Sequence, residues 1–356
     1  MVGAPLTLEA MGDDERLQAN EVRREPLEYD AFLAHRTVSR LRGIALVDGL
    51  EVPWSVIEKS TDLARASRYL RDNAEREFQA YASGLLDELG PAVRAPRLVG
   101  SRAAPDGELT LLLEEVVHDG PRPLDAPALL TAAHDVGTMA GRWCGRVPGE
   151  PWLFTGWVDR HSQPEAVATA QNTLSGLRAE AAAQLGDLVP TALRLIEAQP
   201  RLRTILESLP QTLCHHDAVG ANVFVSSGQT VLIDWESIGP GPVGADLASL
   251  LFSSVRRGDA RASVVTAIID DAVAVYLAGV HEQSPAVTPR DVRIGFDAAV
   301  CLRWKLIADL AVAVETGRPV RRGSLPDEPP ARAQAELVAL TDLLLASARR
   351  ALGAGQ

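Results

Sequence analysis

Residues 214–224 read CHHDAVGANVF, and the stretch from Asn222 to Asp234 reads NVFVSSGQTVLID. Two apolar, β-prone runs, 223–225 and 231–233, flank a polar loop that contains Gly228, which predicts a hairpin. Folded about Gly228, such a hairpin sets Val225 opposite Val231 and Asn222 opposite Asp234, with α-carbons roughly 5 Å apart at its open end. Asp217, on the loop before the first strand, falls near the same place. Two carboxylates and an amide oxygen form a hard donor set, suited to Mg²⁺ shared between protein and phosphate oxygens. The histidines invite other chemistries, and each fails on spacing. Adjacent residues on extended backbone point to opposite sides, so His215 and His216 do not converge on one zinc ion. No HExxH or CxxC supports them, and His118, His134, His161 and His281 are scattered. A serine hydrolase needs a nucleophile elbow of the GxSxG type, which the chain lacks.

The elements that must position this chemistry follow from patterning. Residues 1–34 read as a polar N-terminal extension with little to anchor it. From 35 to 117 strands dominate: TVSRLRGIALVDGLEVPWSVIEKS, with an Asp48-Gly49 hairpin signal, then a helical stretch ending before Gly90-Pro91, then the pair APRLVGS and ELTLLLEEVV. From 118 to 356 the chain is mostly helical, interrupted by strands only between Asn222 and Asp234. A strand-rich segment followed by a helical one is α+β, not an alternating βαβ pattern.

Bulk properties narrow the function classes. The 356 residues suffice for two lobes, and 46% hydrophobic with 23% charged residues is ordinary for a globular chain. A net charge of −12 argues against a nucleic-acid partner, whose electrostatic footprint is basic. Three cysteines, Cys144, Cys214 and Cys301, lie far apart in apolar segments, the pattern of buried thiols in a reducing cytoplasm. No signal peptide and no apolar run of the roughly 18 residues a membrane helix needs is evident, so a cytoplasmic location without membrane contact is expected.

His-x-Asp, four residues, Asn, followed by an Asp at the end of the next strand, is the spacing of a kinase catalytic loop and its metal-binding Asp. HHDAVGANVF, VLIDWES and GADLASL, in that order, resemble the catalytic block of the aminoglycoside phosphotransferase and choline kinase family. The resemblance implies a bilobal protein-kinase-like fold, with a small β-rich N-lobe and a larger helical C-lobe, and transfer of a phosphoryl group from ATP or GTP with Mg²⁺. It makes Asp217 the group that accepts the acceptor hydroxyl's proton, gives the metal ions to Asn222 and Asp234, and leaves His215 to buttress the loop. Asp246, before LASLLF, reads as a helix N-cap or as a support for that loop. In the N-lobe the resemblance implies a Lys59–Glu77 ion pair over the nucleotide phosphates, with Glu75 the alternative. It also implies a hinge at 114–116 whose backbone, at Glu114 and Val116, meets the nucleotide base beside Leu113.

Two departures stand out. The phosphate-covering loop is poor in glycine, with only Gly43 to form a tight turn at 42–43, and His216 replaces the family's usual glycine. Weak candidates for the acceptor wall are His216, Trp235, Glu236, Asp270, Asp271, Asp297, Arg303, Trp304 and Lys305. The expected acceptor is a hydroxyl-bearing small molecule, an antibiotic or a natural-product intermediate. The alternatives are a Ser or Thr of a peptide natural-product precursor, and a nucleotide-binding pseudokinase with a regulatory role.

Overall fold

Long antiparallel ladders organise the first part of the chain. The computed structural model describes residues 20–27, 35–47, 50–105 and 107–353. The chain divides into two compact units. The first holds the described residues up to Glu88 together with Arg94–Val117 and Ile233–Glu236. The second holds Leu89–Val93, His118–Leu232 and the chain from Ser237 onward.

The first unit is built on a five-stranded antiparallel sheet of order β1-β2-β3-β5-β4, from Asn20–Pro26, Arg36–Val47, Leu50–Asp62, Leu98–Ala103 (β4) and Glu108–Glu114 (β5). In β5, Leu109, Leu111 and Leu113 alternate inward and are buried, as a strand period of two requires. Strand β1 corrects the sequence reading, because Asn20–Pro26 lies inside the expected extension of residues 1–34 and yet pairs with β2. Its residues are polar on both faces and Val22 is exposed, so no hydrophobic alternation marks it. Its backbone ladder to β2 holds it, with ion pairs on its surface from Arg24 to Glu58 at 2.9 Å and from Glu25 to Arg40 and Arg42.

A second correction concerns Gly43. The expected turn at residues 42–43 does not form: both residues lie inside β2, where Arg42 pairs with Ser55 and Gly43 with Trp54. A Cβ at Gly43 would fall 2.6 Å from the Trp54 ring, so this glycine makes room for an indole. Asp48-Gly49 lies outside the described residues, flanked by the pair Val47 and Leu50. The helix Arg68–Ala82 is capped by the Ser67 side chain, which accepts from the Leu70 N–H. Its buried face, Leu70, Asn73, Ala74, Glu77, Ala80 and Tyr81, follows helical spacing. That spacing puts Glu77 inside and leaves Glu75 exposed.

The second unit rests on two helices in close contact, Ala126–Trp143 and Ala262–His281. Gly137, Gly141 and Gly279 sit at their contact. A Cβ at Gly137 would come within 2.2 Å of the Tyr276 carbonyl, and one at Gly279 within 2.2 Å of the His134 carbonyl. Glycine inside a helix costs about 1 kcal/mol against alanine, a cost accepted here because only glycine allows the backbones so near. Ala262–His281 is also long and apolar enough, by length and composition, to cross a membrane. The sequence reading found no such segment because Asp270 and Asp271 interrupt it. The three cysteines are free, and Cys214 and Cys301 are buried.

Two short ladders complete this unit: β6 (Gln211–Cys214) against β9 (Gly239–Pro242), and the hairpin of β7 (Val223–Ser226) with β8 (Gln229–Leu232). The hairpin register differs by one residue from folding about Gly228. Val225 faces Thr230, and the last pair is Val223 with Leu232. The turn is the two residues Ser227 and Gly228, both at positive φ (53° and 77°), which is the tight connection that matches strand twist. Asn222 therefore does not pair with Asp234 in the ladder; it ends a 3₁₀ turn, Gly220–Asn222.

Gly137→Ala should destabilise the fold by about 1–3 kcal/mol through overpacking, read as a drop in the denaturant midpoint. Gly149→Ala, with nothing within 4 Å of its added carbon, should stay within about 0.5 kcal/mol of wild type.

Candidate active site

The loop that follows β6 carries Asp217, and its shape is set by one buried acid. Asp246 is 2% exposed and accepts the backbone N–H of His215 through one carboxylate oxygen and that of His216 through the other, each at 2.7 Å. Burial pushes its carboxyl up to about 6, against the pull of those two N–H donors. The short helix here is preceded by Gly244 in the left-handed region, and no side chain caps it. Asp246 therefore spends its oxygens on the loop and not on its own helix end.

Downstream, each turn of the loop is tied. The buried His215 ring accepts the Asp217 N–H at Nδ1, 3.2 Å away, so its proton sits on Nε2. Asn222 donates from Nδ2 to the Asp217 carbonyl at 2.9 Å and to its carboxylate at 3.0 Å. With the amide nitrogen so engaged, Oδ1 is the atom Asn222 can offer a cation. Arg122 donates to the carbonyls of Gly220 and Val223 and lies over the Phe224 ring at 4.8 Å, while the Ser254 hydroxyl accepts the Gly220 N–H at 2.7 Å. Neither Arg122 nor Ser254 is detectable from motif spacing, because each acts on backbone from a distant part of the chain.

His216 occupies a position with φ of +61°, the region glycine enters freely and other residues rarely. That explains why glycine is usual there. The imidazole is buried, donates from Nε2 to the Pro240 carbonyl at 3.0 Å, stacks on Trp157 at 5.0 Å and meets Phe154 edge-on at 6.4 Å. Burial pushes its pKa down to about 3, so the ring is neutral. The residue packs beneath the loop, and Gly241 makes that possible: a Cβ there would lie 2.5 Å from His216 Cε1. Among the described residues Cys214, His216 and Asp246 form a cluster of potential metal ligands within 4.8 Å. The bonds of Asp246 and His216 to backbone groups already give that cluster a structural role.

In the first unit, Lys59 donates to both carboxylate oxygens of Glu77 at 2.8 and 2.7 Å and to Asp234 at 2.7 Å. Burial pushes the Glu77 carboxyl up, with Lys59 opposing that shift. Asp234 sits at φ +68°. Tyr81 is buried beside this group, and burial raises its phenol well above the ordinary value. Glu114 is clasped by Arg94 at 2.7 and 3.1 Å and accepts the Arg97 N–H at 3.0 Å, so its side chain fixes the strand end that leads to Val116.

The acceptor-wall candidates separate clearly. Trp235 and Trp304 are 0% and 1% exposed and pack as core side chains. Glu236 is committed within the first unit to Arg36 at 2.7 Å and to Asn73 at 3.3 Å. Asp297 is buried and accepts from Ser347, Arg350 and Arg293, and Asp270 pairs with Arg293. These residues read as polar or aromatic wall positions because sequence spacing does not report burial. Arg303 is buried, donating to Ser253, Ser249 and Ala299. Asp271 and Lys305 are exposed.

No curated protein sequence matches the chain. A choline kinase from Cryptosporidium parvum superposes with a TM-score of 0.53 at 12% identity, covering 94% of this chain and 92% of that one, and so shares its fold. An amicoumacin kinase solved with AMP-PNP and Ca²⁺ gives 0.48 at 13% identity, covering 96% and 89%. The aminoglycoside phosphotransferase APH(3'')-Id from Streptomyces rimosus gives 0.45 at 18%, covering 85% and 95%. A sequence profile of the phosphotransferase enzyme family matches residues 62–282, which span the Lys59-proximal helix, the Asp217 loop and the Asp246 support. The chain belongs to that phosphotransferase enzyme family and has its kinase-like α+β fold.

Proposed function

We propose that the protein transfers the γ-phosphate of ATP or GTP to a hydroxyl of a small molecule, an antibiotic or natural-product intermediate. The observation that carries this reading is the loop itself. A carboxylate, Asp217, is oriented by Asn222 and built on a backbone clamped by Asp246. In this reading Asp217 accepts the proton of the acceptor hydroxyl as its oxygen bonds to the γ-phosphorus and the bridging oxygen leaves with the nucleoside diphosphate. His215 holds the Asp217 backbone through its ring nitrogen. Lys59, steadied by Glu77, is the cation for the α- and β-phosphates, and the backbone from Glu114 to Val116 takes the base edge.

Asn222 Oδ1 and the Asp234 carboxylate are oxygen donors of the kind that Mg²⁺ accepts, and they would hold it. When bound, the ion neutralises charge on the phosphate oxygens. Lys59 rests on Asp234 at 2.7 Å, so a positive charge already satisfies that carboxylate before metal and nucleotide arrive. The widely spaced free cysteines fit a reducing cytoplasm.

Asp217→Ala should lower phosphoryl transfer by about 10²–10⁴-fold while leaving nucleotide affinity largely intact; normal turnover in a coupled ADP-release assay would remove Asp217 from the mechanism. Asp234→Ala should weaken Mg²⁺-dependent nucleotide binding by about tenfold or more, measured by calorimetry with and without the metal. An affinity that stays the same sinks the metal assignment.

A further inference from the structure

We propose that the acceptor bears an anionic group, a carboxylate or a phosphate, bound by Arg160 and Arg303 on the helical unit beside Asp217. The proposal rests on the phosphotransfer reading and names its substrate class.

The two arginines come from separate parts of the chain, and among the described residues neither forms an ion pair although neither is exposed. Arg303 is 7% exposed, and its guanidinium donates only to neutral acceptors, the Ser253 and Ser249 hydroxyls at 2.8 Å each and the Ala299 carbonyl. Arg160 is half-buried, lies 4.6 Å over the Phe154 ring and donates to the Ser237 hydroxyl at 2.8 Å. Its Nε is buried without a hydrogen-bond partner. An arginine kept from water with donors left over is built to meet an incoming acceptor atom, and planar bidentate acceptors are carboxylates and phosphates.

Their position ties them to the catalytic loop. Phe154, under Arg160, meets the His216 ring, and His216 is the residue before Asp217. Among the charges acting on Arg303, that of Asp217 is the largest. The surrounding field is positive. His161 is held well below its ordinary pKa by burial and by Arg303, Arg160 and Arg256, and His216 is likewise neutral. The arginine itself is pushed down to about 10 by burial, with Asp217 and Asp246 opposing.

Several carboxylates of the helical unit already have partners. Asp246 takes two backbone N–H groups, Asp309 pairs with Arg256, Asp159 with Arg203, and Asp297 with Arg350. The overall charge of −12 therefore does not preclude an anionic acceptor at Arg160, the more exposed of the two arginines. An acceptor carrying its own anion would complete Arg160 and Arg303 and hold its hydroxyl in register with the base.

The test titrates the full chain, with and without Mg²⁺ and AMP-PNP, by calorimetry against four probes: glycerate, glycerol 3-phosphate, glycerol and kanamycin. At least one of the two anions should bind tenfold or more tightly than glycerol and kanamycin, and the better of the pair distinguishes carboxylate from phosphate recognition. Arg160→Gln, checked for folding by its melting temperature, should erase that tenfold preference, and Arg160→Lys should restore part of it. Arg303 is too buried to carry the test alone. Tighter binding of kanamycin, equal binding of all four, no binding of either anion, or an anion preference that survives Arg160→Gln would each overturn the proposal. Phosphoryl transfer is read separately as ADP formed. Anion binding without ADP from any probe would count against the transfer reading and leave the anion subsite standing.

Discussion

A single buried carboxylate, Asp246, holds the backbone of two successive residues, His215 and His216, and the rest of the Asp217 loop builds on that grip. Two N–H groups turned toward one acid fix the direction in which the chain leaves β6. Asp217 then follows with its own N–H on the His215 ring and its carboxylate on Asn222. Leaving either N–H unmet in a buried place costs about 1–3 kcal/mol, so the loop has few alternative shapes. The positive φ at His216 is sustained by this over-determination.

The first unit solves a different problem. Glu77 is buried, and Lys59 meets it with two hydrogen bonds and Asp234 with a third. Such a triad fixes the direction of a lysine that would otherwise range freely on its flexible stem. Arg36 and Glu236 form a neighbouring pair at 2.7 Å. Burial and nearby carboxylates compete over the Arg36 guanidinium, and the carboxylates prevail, raising its pKa. The sheet thus carries its polar centre within a ring of paired charges, without a glycine-rich loop between β2 and β3.

Much of this was legible in the sequence, for identifiable reasons. The spacing of His215, Asp217, Asn222 and Asp234 and the helical period that turns Glu77 inward are local features, readable from order alone. What escaped depends on tertiary burial or on turn geometry. Trp235 and Trp304 look like a substrate wall until their burial is known. Gly43 looks like a turn until the Trp54 ring is found across it. Folding the hairpin about Gly228 gave a register one residue out, because the turn uses Ser227 and Gly228 together. Strand β1 was invisible since it pairs through its backbone and carries no apolar alternation. Arg160 and Arg122 act through a ring face and through carbonyls, contacts with no sequence period.

The fit of His216 into the space left by Gly241 couples two positions that the sequence keeps apart. A Cβ at 241 would stand 2.5 Å from the imidazole and 3.0 Å from Cys214 Sγ, so a side chain there must displace the ring that packs beneath the Asp217 loop. A change on β9 is thereby transmitted to the residue before Asp217, and position 241 acts on the loop through the space it leaves empty.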